Sequence, residues 1–271
     1  MKSGIPKRII QIWGGGSDLP LLARAASANV RLLNPEFEYF RFDDNSMEDF
    51  LKECFPEYRV VFQSFRFPIQ RYDFVRYLAI YQFGGFYFDM DVFLASSLSD
   101  LPESGCIFPF EALTMNRFLR REYGMDWEIG NYAFGATAGH PFLRAVIENC
   151  VRAQNDMKWA QEMMRSIPRL FHEDFFVLYT TGPLLVSRTL AEYSNAAKDV
   201  RVLFPENVCD PRSWSCFGKY GIHLMDGGWR KRKGLVRKQL YSAWKAWNER
   251  VALNEGMKLG EKRSLEFRRR A

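Results

Sequence analysis

With 271 residues, 47% of them hydrophobic and 16% aromatic, the chain has enough apolar surface for one substantial core, which excludes a disordered protein. The net charge of +6 is uneven: residues 231–271 hold thirteen Lys or Arg against four Glu, which leaves the first 230 residues at −3. The basic excess therefore describes the tail and not the substrate of the main domain. Five cysteines, odd in number and without a C-x-x-C pair, argue against a disulfide framework or a zinc site and read as reduced thiols of a cytosolic protein. No signal peptide is expected at the start. Arg76 interrupts the longest apolar run, so no membrane-spanning segment is expected either.

In chain order, residues 5–13 cluster apolar side chains as a first buried strand, closed by Gly14-Gly15-Gly16. Residues 21–33 have helical spacing, and the aromatic run 37–42 reads as a second strand. A short helix is expected over 46–54 with Asn45 or Ser46 as its cap, and a longer one over 68–83. A short strand, Phe86-Tyr87-Phe88, follows Gly84-Gly85. Helices are expected over 141–153, 156–166 and 183–193, and short strands over 200–204 and 221–224. Strands alternating with helices predict an α/β layered domain with a mainly parallel sheet. In the tail, Val236, Leu240, Trp244, Trp247 and Val251 recur at helical spacing. Such a basic helix either packs back on the domain or lies on an anionic membrane surface, and periodicity does not separate the two.

The most informative stretch is Gly84-Gly85-Phe86-Tyr87-Phe88-Asp89-Met90-Asp91. Alternate strand residues point to opposite faces, so Asp89 and Asp91 serve one site only if the chain leaves strand geometry there. A turn at a strand end lets a divalent cation collect oxygens from carboxylates and from a substrate's phosphates. Upstream, Asp73 and Arg76 are three residues apart and share one helix face. If exposed, that pair is an ordinary surface ion pair. On so apolar a helix, leading into the acidic turn, it could instead reach a bound sugar phosphate.

Taken together, the run Ile5-Pro6-Lys7-Arg8-Ile9-Ile10-Gln11-Ile12-Trp13, then Asp73-x-x-Arg76-Tyr77, then Gly84-Gly85-x-Tyr87-x-Asp89-x-Asp91 resembles glycosyltransferase family 32. Those are the sugar-binding-region enzymes that include capsular polysaccharide transferases and yeast-type mannosyltransferases. More distantly the chain is similar to the glucosylating domains of large clostridial toxins. Gly130-Asn131-Tyr132, Gly139-His140-Pro141-Phe142, Thr181-Gly182-Pro183, His223 and Trp229 fit the same pattern. The resemblance spans most of residues 5–229 and implies a GT-A fold over 1–230, followed by the helical tail 231–271.

The resemblance also implies a retaining transfer of a hexose from a nucleotide sugar, a UDP-sugar in preference to GDP-mannose, assisted by Mn²⁺ or Mg²⁺. Gln11, Ile12, Trp13, Asp73, Arg76, Tyr87, Asp89 and Trp229 are then expected at the donor, with Trp13 stacked on the nucleobase and Trp229 closing over the phosphates. Asp91, Asp89 and His223 are expected at the metal. Asp73, Arg76, Asp89, Asp91 and Asn131 are expected at the reacting centre, Asn131 orienting sugar or acceptor. His140 and His172 take turn and surface roles. The segment 111–127, rich in charge and aromatics, is a candidate acceptor-binding stretch by its position between motifs. The expected acceptor is a glycan or lipid-linked saccharide, handled in the cytoplasm or at the inner face of a membrane, and no nucleic-acid partner is expected. Two departures from the pattern are Tyr72, where a small residue is usual, and Gly228, where a serine is common. Two other functions remain open at this point: a haloacid-dehalogenase-type phosphatase using Asp89 and Asp91, and a non-catalytic carbohydrate binder with the same fold.

Overall fold

The computed structural model describes residues 4–16, 18–225 and 235–259. Its strands are β1 (Arg8–Ile12), β2 (Glu38–Phe42), β3 (Gly85–Phe88), β4 (Val92–Leu94), β5 (Cys106–Leu113), β6 (Trp127–Ile129), β7 (Ala133–Ala136), β8 (Arg201–Leu203) and β9 (Gly221–His223). Its helices are α1 (Leu21–Leu32), α2 (Asp44–Cys54), α3 (Arg59–Ser64), α4 (Pro68–Phe83), α5 (Arg117–Tyr123), α6 (Pro141–Asn155), α7 (Met157–Gln161), α8 (His172–Thr180), α9 (Pro183–Glu192), α10 (Ala196–Asp199) and α11 (Leu235–Leu259).

The central sheet has the order β2-β1-β3-β7-β5-β6, with β8 added to β5. Strands β2, β1 and β3 are parallel, β7 runs against both β3 and β5, and β8 is parallel to β5. Among the described residues, five of the seven strands thus run one way and β6 and β7 run against them. The α/β layering expected from the sequence is present. Its cause is visible strand by strand, because alternate side chains serve opposite faces. Ile10, Tyr87, Phe108 and Phe134 join one core with α4, α6 and α9. Ile9, Phe86, Phe88 and Ile107 join another, under α1 and β4.

The long helix α4 covers the residues expected of it, and at α2 the structure corrects the cap. Asp43 is the N-cap residue: its carboxylate accepts from the Ser46 amide at 2.9 Å, and Ser46 Oγ accepts from the Asp43 amide at 2.8 Å. That is a reciprocal capping box, not a cap by Asn45 or Ser46. The expected helix 156–166 is shorter, ending as α7 with a 3₁₀ turn over Glu162–Met164.

Helix α4 passes into β3 through two glycines with positive φ, Gly84 at +65° and Gly85 at +109°. At Gly85 a Cβ would lie 2.6 Å from the Arg8 carbonyl oxygen, because β1 and β3 pair closely there. Backbone on one side and a forbidden φ on the other leave no way to relax. Gly85→Ala is therefore expected to destabilise the fold by about 2 kcal/mol or more, read as a lower urea midpoint with an unchanged m-value. A midpoint within error of the parent would contradict that placement.

Residues 235–259 of the tail fold as α11. Tyr241 and Trp244 pack on Phe171 at 5.4 and 5.2 Å between ring centroids, and Ala252 is buried in the main core. Leu240 and Trp247, expected on the same apolar stripe as Trp244, are 51% and 69% exposed. No helix among the described residues is long and apolar enough to cross a membrane.

Candidate active site

A cleft of about 620 Å³ opens at the C-terminal ends of β1 and β3. Ile12, Trp13, Tyr72, Asp73, Arg76, Tyr87, Asp89, Asp91, Asn131 and His223 all line it. The sequence spreads these residues over more than 200 positions, and three pieces of local structure gather them.

The first piece is the turn after β3. Strand pairing stops at Phe88, and the Val92 amide donates to the Asp89 carbonyl at 3.1 Å, closing a turn that brings both carboxylates to one side. The second is the antiparallel pair of β4 and β9, whose register sets Val92 opposite His223. His223 Nε2 thereby lies 3.2 Å from Asp91 Oδ1. Ligand atoms of Asp89, Asp91 and His223 all fall within 4.8 Å of one another. Burial disfavours the imidazolium of His223. The hydrogen bond to Asp91 and the charges of Asp89, Asp91 and Glu111 outweigh it and hold its pKa above the usual value.

The third piece is the buried face of α4. Arg76, only 3% exposed, donates to Asp73 at 3.0 Å on one side and to Asp89 at 3.0 Å on the other. It also donates to the Asn131 carbonyl at 3.0 Å and lies 4.6 Å over the Tyr87 ring. The pair at positions 73 and 76 is thus not a surface pair. Asp73 accepts further from Thr181 Oγ1 at 2.8 Å and Asn131 Nδ2 at 3.1 Å. Even so, burial outweighs these partners and pushes its carboxyl up to about 6. Asp89 accepts from Tyr87 Oη at 2.6 Å. The result is a continuous chain Thr181–Asp73–Arg76–Asp89–Tyr87 that fixes the inner carboxylate of the turn while Asp91 points outward to His223.

Other residues expected at the site are placed as follows. Trp13 lines the cleft and belongs to neither core cluster, and its indole N–H is buried without a partner. Tyr72 donates to Asp44 Oδ1 at 3.2 Å, and Asp44 Oδ2 accepts from the Gly15 amide at 2.9 Å, so the bulky residue pins the glycine loop that follows Trp13. Gln11 corrects the expectation. It is fully buried, its amide shared between the carbonyls of Phe88 and Asp89 and its oxygen accepting from Tyr39 at 2.9 Å, and it does not line the cleft. Trp229 lies outside the described residues. His140 caps α6 through Nδ1, and His172 bonds the Ile167 carbonyl.

The sequence assigns no site role to Thr181, Glu128, Tyr132, Tyr241 or Trp244, all of which but Thr181 line the cleft. Glu128 accepts from Thr114 Oγ1. Burial pushes its carboxyl up to about 7; the Thr114 bond opposes this and the Glu111 charge adds to it. The ring of Tyr132 stacks on His223, centroids 4.3 Å apart.

Residues 23–107 match the family described as "Glycosyltransferase sugar-binding region containing DXD motif". The chain is 30% identical to "Inositol phosphoceramide mannosyltransferase 3" of Schizosaccharomyces pombe, over 68% of this chain and 44% of that protein. It is 26% identical to "Uncharacterized glycosyltransferase L373" of Acanthamoeba polyphaga mimivirus, over 83% and 84%. Among solved structures, the ligand-free glycosyltransferase domain of the YGT toxin superposes with a TM-score of 0.47 at 10% identity, covering 73% of this chain and 80% of that one. The chain spans less than half the length of the fission-yeast relative. Asp73, Arg76, Asp89 and Asp91 all fall inside the matched segment, so over residues 23–107 this chain carries the glycosyltransferase sugar-binding region containing a DXD motif.

Proposed function

We propose that the protein is a GT-A-type, metal-dependent glycosyltransferase that moves a hexose, with retention, from a nucleotide sugar to a glycan or lipid-linked saccharide. The observation that carries this reading is the convergence of Asp89, Asp91 and His223 to within 4.8 Å at the mouth of a cleft, with Arg76 locked behind them. Two carboxylates and one imidazole suit Mn²⁺ better than Mg²⁺, which prefers an all-oxygen shell. Both His223 and Asp91 must be deprotonated to bind it, and the outward Asp91 is the direct ligand in this reading. When bound, the cation supplies Lewis-acid stabilisation of the departing diphosphate.

The chain's own residues supply the rest. Trp13, at the base of the cleft, stacks on the nucleobase, and its unpartnered N–H awaits an acceptor there. Arg76, its guanidinium fixed by two carboxylates, presents preorganised positive charge to the donor without reorganising during reaction. Asn131, held against Asp73 and Tyr77, orients the sugar or acceptor. No covalent nucleophile is assigned; the leaving phosphate takes the acceptor's proton in a front-face displacement.

The phosphatase reading asks Asp89 to attack phosphorus. Its Oδ1 is already engaged by Tyr87 and Arg76, so no observation favours that reading.

For the test, the purified chain is incubated with Mn²⁺ and a panel of UDP-glucose, UDP-galactose and GDP-mannose, and free nucleoside diphosphate is measured. Slow release from one donor is expected, falling to background with EDTA. Release unaffected by EDTA, or from none of the panel, would count against the reading. The panel spans both nucleotides because the sequence points to a UDP-sugar while the names of several relatives say mannosyl.

Peripheral contact with an anionic membrane is proposed through the exposed Leu240 and Trp247 of α11. Leu240→Glu with Trp247→Glu is expected to abolish co-sedimentation with vesicles of phosphatidylserine and phosphatidylcholine. Equal sedimentation of parent and variant would remove the membrane from the proposal.

A further inference from the structure

Beyond the metal triad the same cleft holds a second polar group of side chains that the proposed donor chemistry does not use. Glu111 on β5 and Glu128 on β6 both line it, and both are partly exposed. They approach each other closely enough that the charge of Glu111 raises the carboxyl of Glu128. Between them and the triad sits Gly130. A Cβ there would fall 2.5 Å from Glu111 Oε2 and 2.4 Å from the Tyr132 ring, so only a glycine lets the carboxylate and the tyrosine close together. Tyr132 is 3% exposed, lines the cleft, and its hydroxyl is buried with no hydrogen-bond partner. A buried phenol O–H left unsatisfied, in a cleft where the Trp13 indole N–H and His223 Nδ1 are likewise buried without a partner, points to a missing ligand atom. Its ring stacks on His223, so whatever binds its hydroxyl lies next to the metal triad.

We propose that Glu111, Glu128 and Tyr132 form the acceptor subsite, binding a polyhydroxylated ring, a monosaccharide or a cyclitol, through two of its hydroxyls. The carboxylates accept from ring hydroxyls, and Tyr132 donates to one oxygen of the same ring. Glu128, with a carboxyl that titrates near neutrality, both accepts and donates. Tyr241 and Trp244 of α11 also line the cleft and offer an apolar surface for whatever the ring is attached to.

This inference rests on the transferase reading, and its test is separate from that reading's. Saturation-transfer NMR is recorded on the full chain with Mn²⁺ and nucleoside diphosphate. The probes are methyl α-D-mannopyranoside, methyl α-D-glucopyranoside and myo-inositol. One ring is expected to bind the parent. Its affinity is expected to fall about tenfold or more in Glu128→Gln, a neutral isostere, and in Tyr132→Phe, which removes only the hydroxyl. Nucleoside diphosphate affinity is expected to stay the same in both variants. Failure of all three rings to bind the parent, unchanged ring affinity in both variants, or an equal loss of nucleotide affinity would each overturn the subsite. None of these outcomes bears on whether a nucleotide sugar is cleaved.

Discussion

Asp91→Asn is expected to lower nucleoside diphosphate release from the preferred donor by about a thousandfold, since it removes the outward ligand of the metal triad and with it most transition-state charge stabilisation. The fold should survive. Asp91 lies in a turn, its carboxylate is accessible, and its backbone carbonyl still accepts from the Leu224 amide at 3.1 Å. A second readout is independent of turnover. In the parent, His223 is held above the usual histidine pKa, with burial opposing and the Asp91 hydrogen bond the largest favourable cause. Removing that acceptor charge should bring the titration of His223 down, an effect visible in the imidazole proton shifts. In sign, a histidine with a raised folded pKa adds stability fully present below its unfolded value and lost as pH rises through the folded one. Asp91→Asn should therefore melt lower than the parent at pH 5.5, with the gap closing as pH rises through the folded pKa of His223. Full activity at saturating Mn²⁺, with His223 titrating as before, would sink the metal assignment.

How much of this site the sequence reveals depends on how local the determinants are. Helix α4, the two glycines, β3 and the acidic turn form one contiguous stretch whose propensities all agree, and each appears where expected. Strands β5 and β7 are not legible in the sequence. Pro109 sits inside β5 and Gly135 inside β7, and both residue types argue against a central strand. The glycine is required there because it makes room for the Phe86 ring, which would lie 2.4 Å from a Cβ at position 135. Without β5 and β6, nothing in the sequence brings Glu111 and Glu128 to one cleft. Gln11 was misplaced for a related reason. The family resemblance puts it beside Trp13 at the donor, but only the pairing of β1 with β2 and β3 shows its amide used up on Tyr39 and on the carbonyls that end β3. Thr181 meets Asp73 across 108 residues, a contact no local pattern encodes.

The buried ion-pair chain makes the second large prediction. Arg76→Met keeps volume and helix propensity but strips two carboxylates of their shared cation. Removing one partner of a buried pair leaves an uncompensated charge, and Arg76→Met is expected to destabilise the fold by about 3–5 kcal/mol at pH 8. Asp73 bears most of that penalty. Its side chain is 5% exposed, against 26% for Asp89, which can turn toward water. Burial already holds the Asp73 carboxyl at about 6, with Arg76 the strongest force pulling it down; without Arg76 it must rise further. The sign of the pH dependence follows. A carboxyl with a folded pKa above its unfolded 3.8 binds more protons folded than unfolded, so its contribution to stability falls as pH climbs between those values. In Arg76→Met that window extends upward, while protonation at low pH removes the charge that needed a partner. The gap between parent and variant should therefore be widest near pH 8 and narrow toward pH 5, as measured by urea unfolding at both. Arg76→Lys separates charge from geometry: one ammonium cannot bridge Asp73, Asp89 and the Asn131 carbonyl as the planar fork does. It should recover part of the stability yet remain at least about a hundredfold down in donor cleavage, because the preorganised charge is no longer aimed. A pH-independent gap in Arg76→Met, or wild-type turnover in Arg76→Lys, would mean that the chain from Thr181 to Tyr87 packs the core and leaves the chemistry to other groups.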